Sequence, residues 1–404
     1  MPINYAGDDT NFPVNVQLKA TTDPATGGLG EGANLGLEDL ADRTAYLQAR
    51  RLEDYRAGIE AASGGMATVK ADDNGNWHVM ARIPAFKSQI FDADMAYPIV
   101  YPSGKYHPAF CLDASTVVSE ILIGLFPVSL NAAAEPVTLP GVAPDLTATH
   151  DEARVHCRAL GLGFHMMTIH EWGALAFWAF NLVQNLRGNS SANVITDQEY
   201  GVKSSVANTQ ILTGTGPLTW KHNGREFGVS DLVAGVQEMI NLCRMVDAKI
   251  HFPQYNEFWK EPADWTDQLI WFGPSAGSVL CIDGTAPIAD DTTYEADFDG
   301  IEHGTNFTPG SLPASLVDPR LCELLLIRTW YTDGTPPVAH EIAWLDTRTG
   351  VMAFPNSAGA RYLTRGGAYA DGADAGLPTM GSITTADVGC QYRVAWIDPD
   401  LIPT

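Results

Sequence analysis

Apolar positions along this chain change period several times, and each change marks an element. Between residues 37 and 62 they form a narrow stripe. Leu37, Leu40, Thr44 and Leu47 recur at 3-4-3 spacing, and the stripe then drifts through Leu52, Tyr55 and Ile59. The surrounding positions are charged, with acids early and arginines later, as the helix dipole prefers. The spacing predicts one helix over 37–62, stopped by glycine capping at Ser63-Gly64-Gly65. Such a stripe needs a partner, either the rest of the chain or a copy of itself. The preferred reading is self-association through Leu37, Leu40, Thr44 and Leu47. From Met66 to Pro84 the period becomes two, around an Asp72-Asp73-Asn74-Gly75 turn, which predicts a hairpin.

Beyond Ala109 strand-like and helix-like runs alternate. Ala109–Leu130 reads as a strand pair with a turn near Asp113–Ser115. A helix then starts at His150-Asp151-Glu152, capped by Thr149 or Asp151, with Ala153, Cys157 and Leu160 as its apolar face. Thr168 and Glu171 form a capping box for a second helix, which is apolar almost all round and is therefore expected deep in the core. Val236–Val246, Leu321–Trp330 and His340–Leu345 read as strands. Near the C-terminus, Arg361–Thr364 and Tyr392–Ile397 flank roughly 27 residues rich in Gly, Ala, Asp and Thr. That centre has too few large apolar side chains for a core of its own. It is expected to run over the surface, pinned at both ends. The fold class is α+β.

Composition narrows the function. The chain's 404 residues include 48 acidic and 24 basic ones, for a formal charge of -24. Nucleic acid is disfavoured as a partner, because phosphate binding needs a cationic face. No apolar run is long enough to span a bilayer, and none follows a basic N-terminal segment as in a signal peptide. Six cysteines occur without a CxxC pair and read as reduced and mostly buried.

Searches for catalytic chemistry give little. His170-Glu171 lacks the second histidine that a zinc-protease helix requires. The pairs His150/His156 and His165/His170 lack metal-ligand spacing and read as hydrogen-bonded structural histidines. There is no GxSxG, P-loop or GxGxxG. The candidates for a hard cation are Asp290, Asp291, Glu295, Asp297 and Asp299. Their spacing is not that of an EF-hand, and a solvated acidic loop is the preferred reading.

Two resemblances organise these observations. Leu40-Ala41-Asp42-Arg43-Thr44-Ala45-Tyr46-Leu47 resembles the L-A-N-R-T-x-Y-L segment near the N-terminus of many phage tail-fibre proteins, where it precedes or forms a trimeric stalk. Four further pieces, in order, resemble the formylglycine-generating-enzyme-like branch of the C-type lectin fold. They are Ala109–Asp113, Gly163–Ala176, the run from Leu212 through Gly228-Val229-Ser230-Asp231-Leu232 to Glu238, and Arg365-Gly366-Gly367-Ala368-Tyr369 with Gly389–Ala395. The resemblance implies a virion-attachment segment over 1–36, the oligomerisation helix over 37–62, a small β-rich connector over 63–108 and a C-type-lectin-like receptor-binding domain over 109–404.

It further implies a tail-fibre adhesin rather than an enzyme, located on the virion tail fibre or tail tip. Its partners would be a host surface saccharide or protein, other tail or baseplate proteins, and itself as a homotrimer. Phage proteins of this fold include some diversified by retroelements, with a variable segment where Tyr369–Tyr392 lies here. The implied receptor face comprises Tyr369, Asp371, Asp374, Leu377, Thr379, Met380, Ser382, Thr384 and Asp387, with Tyr392 and Trp396 as edge aromatics. No cofactor is expected. A structural calcium is the one exception the resemblance raises, and the loop that supports it in the enzymes is eroded here at Ala234, Gly235, Gln237 and Met239. The alternatives are an oxidoreductase of the formylglycine-generating or nonheme-iron type, for which Cys390 lacks the second copper-binding cysteine, and a structural baseplate subunit.

Overall fold

The computed structural model describes residues 35–86, 106–182, 186–191, 200–204, 210–246, 249–253, 255–265, 267–275, 278–283, 293–297, 327–330, 339–342, 351–355, 360–377 and 379–402. The expected attachment segment, Asp290, Asp291 and Asp299 lie outside these residues. The chain divides into two compact units, Met1–Ala71 and Asp72–Thr404.

The first unit holds helix α1 (Leu35–Ser63) and strand β1 (Ala67–Ala71). The helix ends as its glycines predict. Gly64 and Gly65 take φ of +65° and +82°, and the Gly65 amide returns to the Glu60 carbonyl at 2.7 Å. The chain then folds back on the helix. Thr68 Oγ1 donates to Glu60 Oε1 at 2.6 Å and Arg56 Nε to the Val69 carbonyl at 3.0 Å. Thr44 is exposed and Leu47 is 57% exposed, while the side chains of Leu37 and Leu40 lie outside the described residues.

The second unit is α+β. Its strands and helices are β2 (Trp77–Pro84), β3 (Glu120–Gly124), β4 (Ser129–Leu130), β5 (Pro136–Val137), α2 (His150–Arg158), β6 (Phe164–Met166), α3 (Ile169–Leu182), β7 (Glu238–Val246), β8 (Lys249–His251), β9 (Asp267–Ser275), β10 (Ser278–Asp283), β11 (Thr293–Asp297), β12 (Ile327–Trp330), β13 (Ala339–Ile342), β14 (Val351–Pro355), β15 (Ala360–Arg365), β16 (Met380–Thr384) and β17 (Val394–Trp396). One sheet runs β2-β3-β17-β6. A larger one runs β10-β9-β8-β7-β15-β16-β14-β11, and β12-β13 and β4-β5 form small pairs. The boundary between the units falls within the expected connector, between Ala71 and Asp72. β1 belongs to the first unit, whereas β2 pairs with β3 inside the second, Ile83 opposite Ile121.

The helices follow their sequence signals. Thr149 caps α2 through a reciprocal capping box with Glu152, and Ala153, Cys157 and Leu160 are buried. On α3, Trp172, Ala174–Phe177 and Ala179 are all buried, as an all-round apolar helix requires. Gly163 sits at φ +83°, and a Cβ there would lie 2.1 Å from the Ile397 carbonyl oxygen, so the tight entry to β6 admits only glycine. Ala109 does not open a strand as expected. Pro108–Phe110 is a single 3-10 turn, followed by an isolated antiparallel bridge between Cys111 and Val117.

The C-terminal region differs most from expectation. β15 and β17 are not partners. β15 lies between β7 and β16, while β17 lies between β3 and β6 in the other sheet. The residues between them are not one long loop either. They form a 3-10 turn over Tyr369–Asp374 and then β16, paired antiparallel with β15. The glycine-rich composition concealed a strand because its pairing is made by main-chain ladder bonds to β15, with Ile383 as its buried apolar side chain.

Candidate functional site

Two parts of the chain far apart in sequence meet near its C-terminus. The Gln391 amide donates to the Gln237 carbonyl at 2.9 Å and the Met239 amide to the Gln391 carbonyl at 2.7 Å. This short parallel bridge sets Arg393 against Glu238. Arg393 Nε and Nη2 each donate to one Glu238 oxygen at 3.0 Å, Nη1 to the Gly124 carbonyl at 3.1 Å and Nη2 to the Ser230 carbonyl at 2.8 Å. Both side chains are buried. A buried charge pair persists only when its remaining donors and acceptors are matched, and here carbonyls from β3 and the 230 loop supply the match. The pair thereby ties the start of β7, the end of β3 and the start of β17 together.

A second buried polar centre fixes the start of α3. Glu171 accepts from Asn256 Nδ2 at 2.9 Å and from the Thr168 amide at 2.9 Å, and lies 2.8 Å from His165 Nε2. Burial raises its carboxyl, but the facing imidazole and these donors outweigh burial and hold it below the ordinary carboxylate range. His170 bonds the Pro253 carbonyl and His150 the Ile240 carbonyl, so these histidines are structural, as expected.

The expected receptor-face residues separate into groups. Tyr369 and Asp371 are half-buried on the 3-10 turn, where Asp371 accepts from the Ala368 amide at 2.6 Å. Thr384 is half-buried and Asp387 exposed, and Asp387 caps the end of β16 by accepting from the Thr384 amide at 2.7 Å. Ser382 is half-buried with its hydroxyl enclosed. Asp374 and Met380 belong to the same turn and strand by backbone, their side chains lying outside the described residues.

Three expected face residues are interior instead. Leu377 is 3% exposed and its carbonyl accepts from Trp172 Nε1 at 3.0 Å. Thr379 is 4% exposed, its hydroxyl accepting from the Gly376 amide at 2.9 Å. Tyr392 is fully buried, with its hydroxyl donating to Asp145 at 2.8 Å and facing His156 Nδ1 at 2.9 Å. Alternation along a short segment cannot tell a side chain facing solvent from one facing a neighbouring element. Trp396 is half-buried in the other sheet, paired with Leu122 and Phe164.

Cys390 is buried, and burial, helped by the Asp387 carboxylate, pushes its thiol up to about 11. Among the described residues no three His, Cys, Asp or Glu side chains gather as metal ligands. Of the acidic candidates, Glu295 and Asp297 lie on β11 by backbone. No helix among the described residues is long and apolar enough to cross a membrane.

The sequence reading missed the Glu238–Arg393 pair. Both residues stood in the quoted motifs, but nothing in a linear sequence joins partners 155 positions apart. No protein-family model matches this chain, and a search of the curated proteins finds no relative.

Proposed function

We propose that this chain is a receptor-binding protein of a phage tail fibre. Residues 1–36 dock on the virion, α1 associates with its copies as a homotrimer, and a C-type-lectin-like region over 109–404 grips a host surface saccharide or protein. The observation that carries the reading is the order of the four motif-like pieces behind a tail-fibre-like Leu40–Leu47 segment. The geometry supports it in one respect. Within 369–387, Tyr369, Asp371, Thr384 and Asp387 stand at half-buried or exposed positions, and β16 is held by ladder bonds to β15. Aromatic and small polar groups on a rigid frame suit adaptable recognition, and three copies would multiply a weak contact by avidity.

The narrowed face is Tyr369, Asp371, Thr384 and Asp387. The resemblance to an oxidising enzyme is the weaker one, because a buried Cys390 with its thiol raised to about 11 is a poor source of thiolate at neutral pH. The test is to exchange residues 367–389 for the matching segment of a tail fibre with another host and to measure adsorption. A changed host range is expected, and an unchanged one removes this face from the proposal.

A further inference from the structure

The sequence holds two Asn-Gly pairs, Asn74-Gly75 and Asn223-Gly224, and the fold treats them differently. Both sit in tight turns whose glycine takes the left-handed region, at φ of +83° and +64°. In both, the glycine amide donates to the carbonyl three residues back, Gly75 to Asp72 at 3.0 Å and Gly224 to Lys221 at 2.9 Å. The asparagine side chains are what differ. Asn223 is half-buried, and its Oδ1 accepts from the Arg225 amide at 3.0 Å. It also packs against Gly228, where an added Cβ would collide with Asn223 Oδ1 and Cγ. Asn74 is exposed between exposed Asp73 and Gly75, and its side-chain amide makes no hydrogen bond among the described residues. The space beside Gly75 is open, with no atom within 4 Å of where a Cβ would stand.

Asparagine is a labile side chain, and a following glycine leaves its own amide nitrogen unhindered by any Cβ. Attack by that nitrogen requires the asparagine side chain to swing over the next peptide unit. A side chain that is bonded and packed, as Asn223 is, loses that rotation, whereas an exposed and unbonded one keeps it. The bond from Gly75 to Asp72 must open first, and an exposed turn opens at little cost.

We propose that Asn74 is a site of spontaneous deamidation and that the fold protects Asn223 from the same reaction. The Gly75 amide nitrogen bonds to Asn74 Cγ and gives up its proton, the bond from Cγ to the side-chain nitrogen breaks, and ammonia leaves. Water then opens the succinimide at one of its two carbonyls. One product is aspartate and the other isoaspartate, which carries an extra methylene in the main chain. The place gives the change a consequence. Asp72 Oδ1 accepts from the Asn74 and Asn76 amides at 2.9 and 2.7 Å, and its Oδ2 accepts from Asn76 Nδ2 at 3.1 Å and faces His78 Nε2 at 3.3 Å. Isoaspartate lengthens the backbone between the two amides that Asp72 holds, and either product adds a carboxylate beside Asp72 and Asp73. Deamidation thus loosens the turn that follows the boundary at Ala71.

The test is to age the full chain in mildly alkaline buffer and to follow both sites by peptide mapping, with enzymatic methylation marking isoaspartate. Loss of the amide at Asn74 is expected to run roughly tenfold or more ahead of Asn223 in the folded chain. In denaturing urea the two sites should react at similar rates, because only the fold separates them. Hydrogen exchange at the Gly75 and Asn76 amides should be faster in the aged chain than in the fresh one, and Asn74→Gln, which does not cyclise readily, should remove that acceleration. Equal rates in the folded chain, faster loss at Asn223, or a preference for Asn74 that persists in urea would each overturn the proposal. Unchanged exchange at Gly75 and Asn76 after deamidation would overturn the loosening of the turn.

Discussion

Asp387 and Arg393 are six positions apart and live under opposite rules. Asp387 is exposed at the end of β16, where its carboxylate caps a turn that water could satisfy equally well. Arg393 is buried, with all its bonds made to Glu238 and two main-chain carbonyls. Exposed positions such as Asp387 can therefore change their side chains at little cost to the fold, while Leu377, Thr379 and Ile383 in the same region and the Glu238–Arg393 joint cannot. The proposed recognition face would rest on a foundation fixed by charge pairing and ladder bonds rather than by its exposed residues.

The comparison is broken most sharply from below. Arg393→Ala leaves Glu238 buried without its counter-charge and is expected to lower stability by about 3–5 kcal/mol in urea unfolding. A loss under about 1 kcal/mol would mean that the pair is not the foundation.

Acid sharpens it next. Burial, followed by the charge of Arg393, lowers His222 to about 3, and its Nδ1 accepts from the Val229 amide at 2.7 Å, so the folded chain holds it neutral. The unfolded chain protonates it near its ordinary value, about 6.5. The stability contributed by neutral His222 is thus complete above that value and is lost as pH falls, with a slope approaching about 1.4 kcal/mol per pH unit. His222→Gln should flatten the stability profile between about pH 6 and 4, and a profile identical to the native one would contradict the assignment.

Tyr392→Phe tests the smaller correction. It removes the hydroxyl contacts with Asp145 and His156 and should cost about 1 kcal/mol without altering adsorption. At the other extreme, Asp387→Lys should change stability by less than about 0.5 kcal/mol while reducing adsorption to host cells. An effect on stability alone would move Asp387 from the face to the frame. In α1, Leu47→Asp should lower the mass of the assembly seen by light scattering if the exposed stripe is the self-association seam.

The sequence by itself determined the local elements. Thr149 with Glu152, Thr168 with Glu171 and Gly64-Gly65 are caps whose partners lie within a few residues, so the helix boundaries they set were readable from the linear order. The interior fate of α3 was equally readable from its uninterrupted apolar run. Only the tertiary structure decided which strands pair, that β16 exists within a glycine-rich stretch, and that Leu377, Thr379 and Tyr392 point inward. It also joined Glu238 to Arg393 and buried one oxygen of Asp231 with no hydrogen-bond partner among the described residues. The reason is reach. A cap or a periodic stripe is satisfied within one or two turns of its own segment, whereas strand pairing and buried charge are satisfied by whatever the folded chain brings alongside.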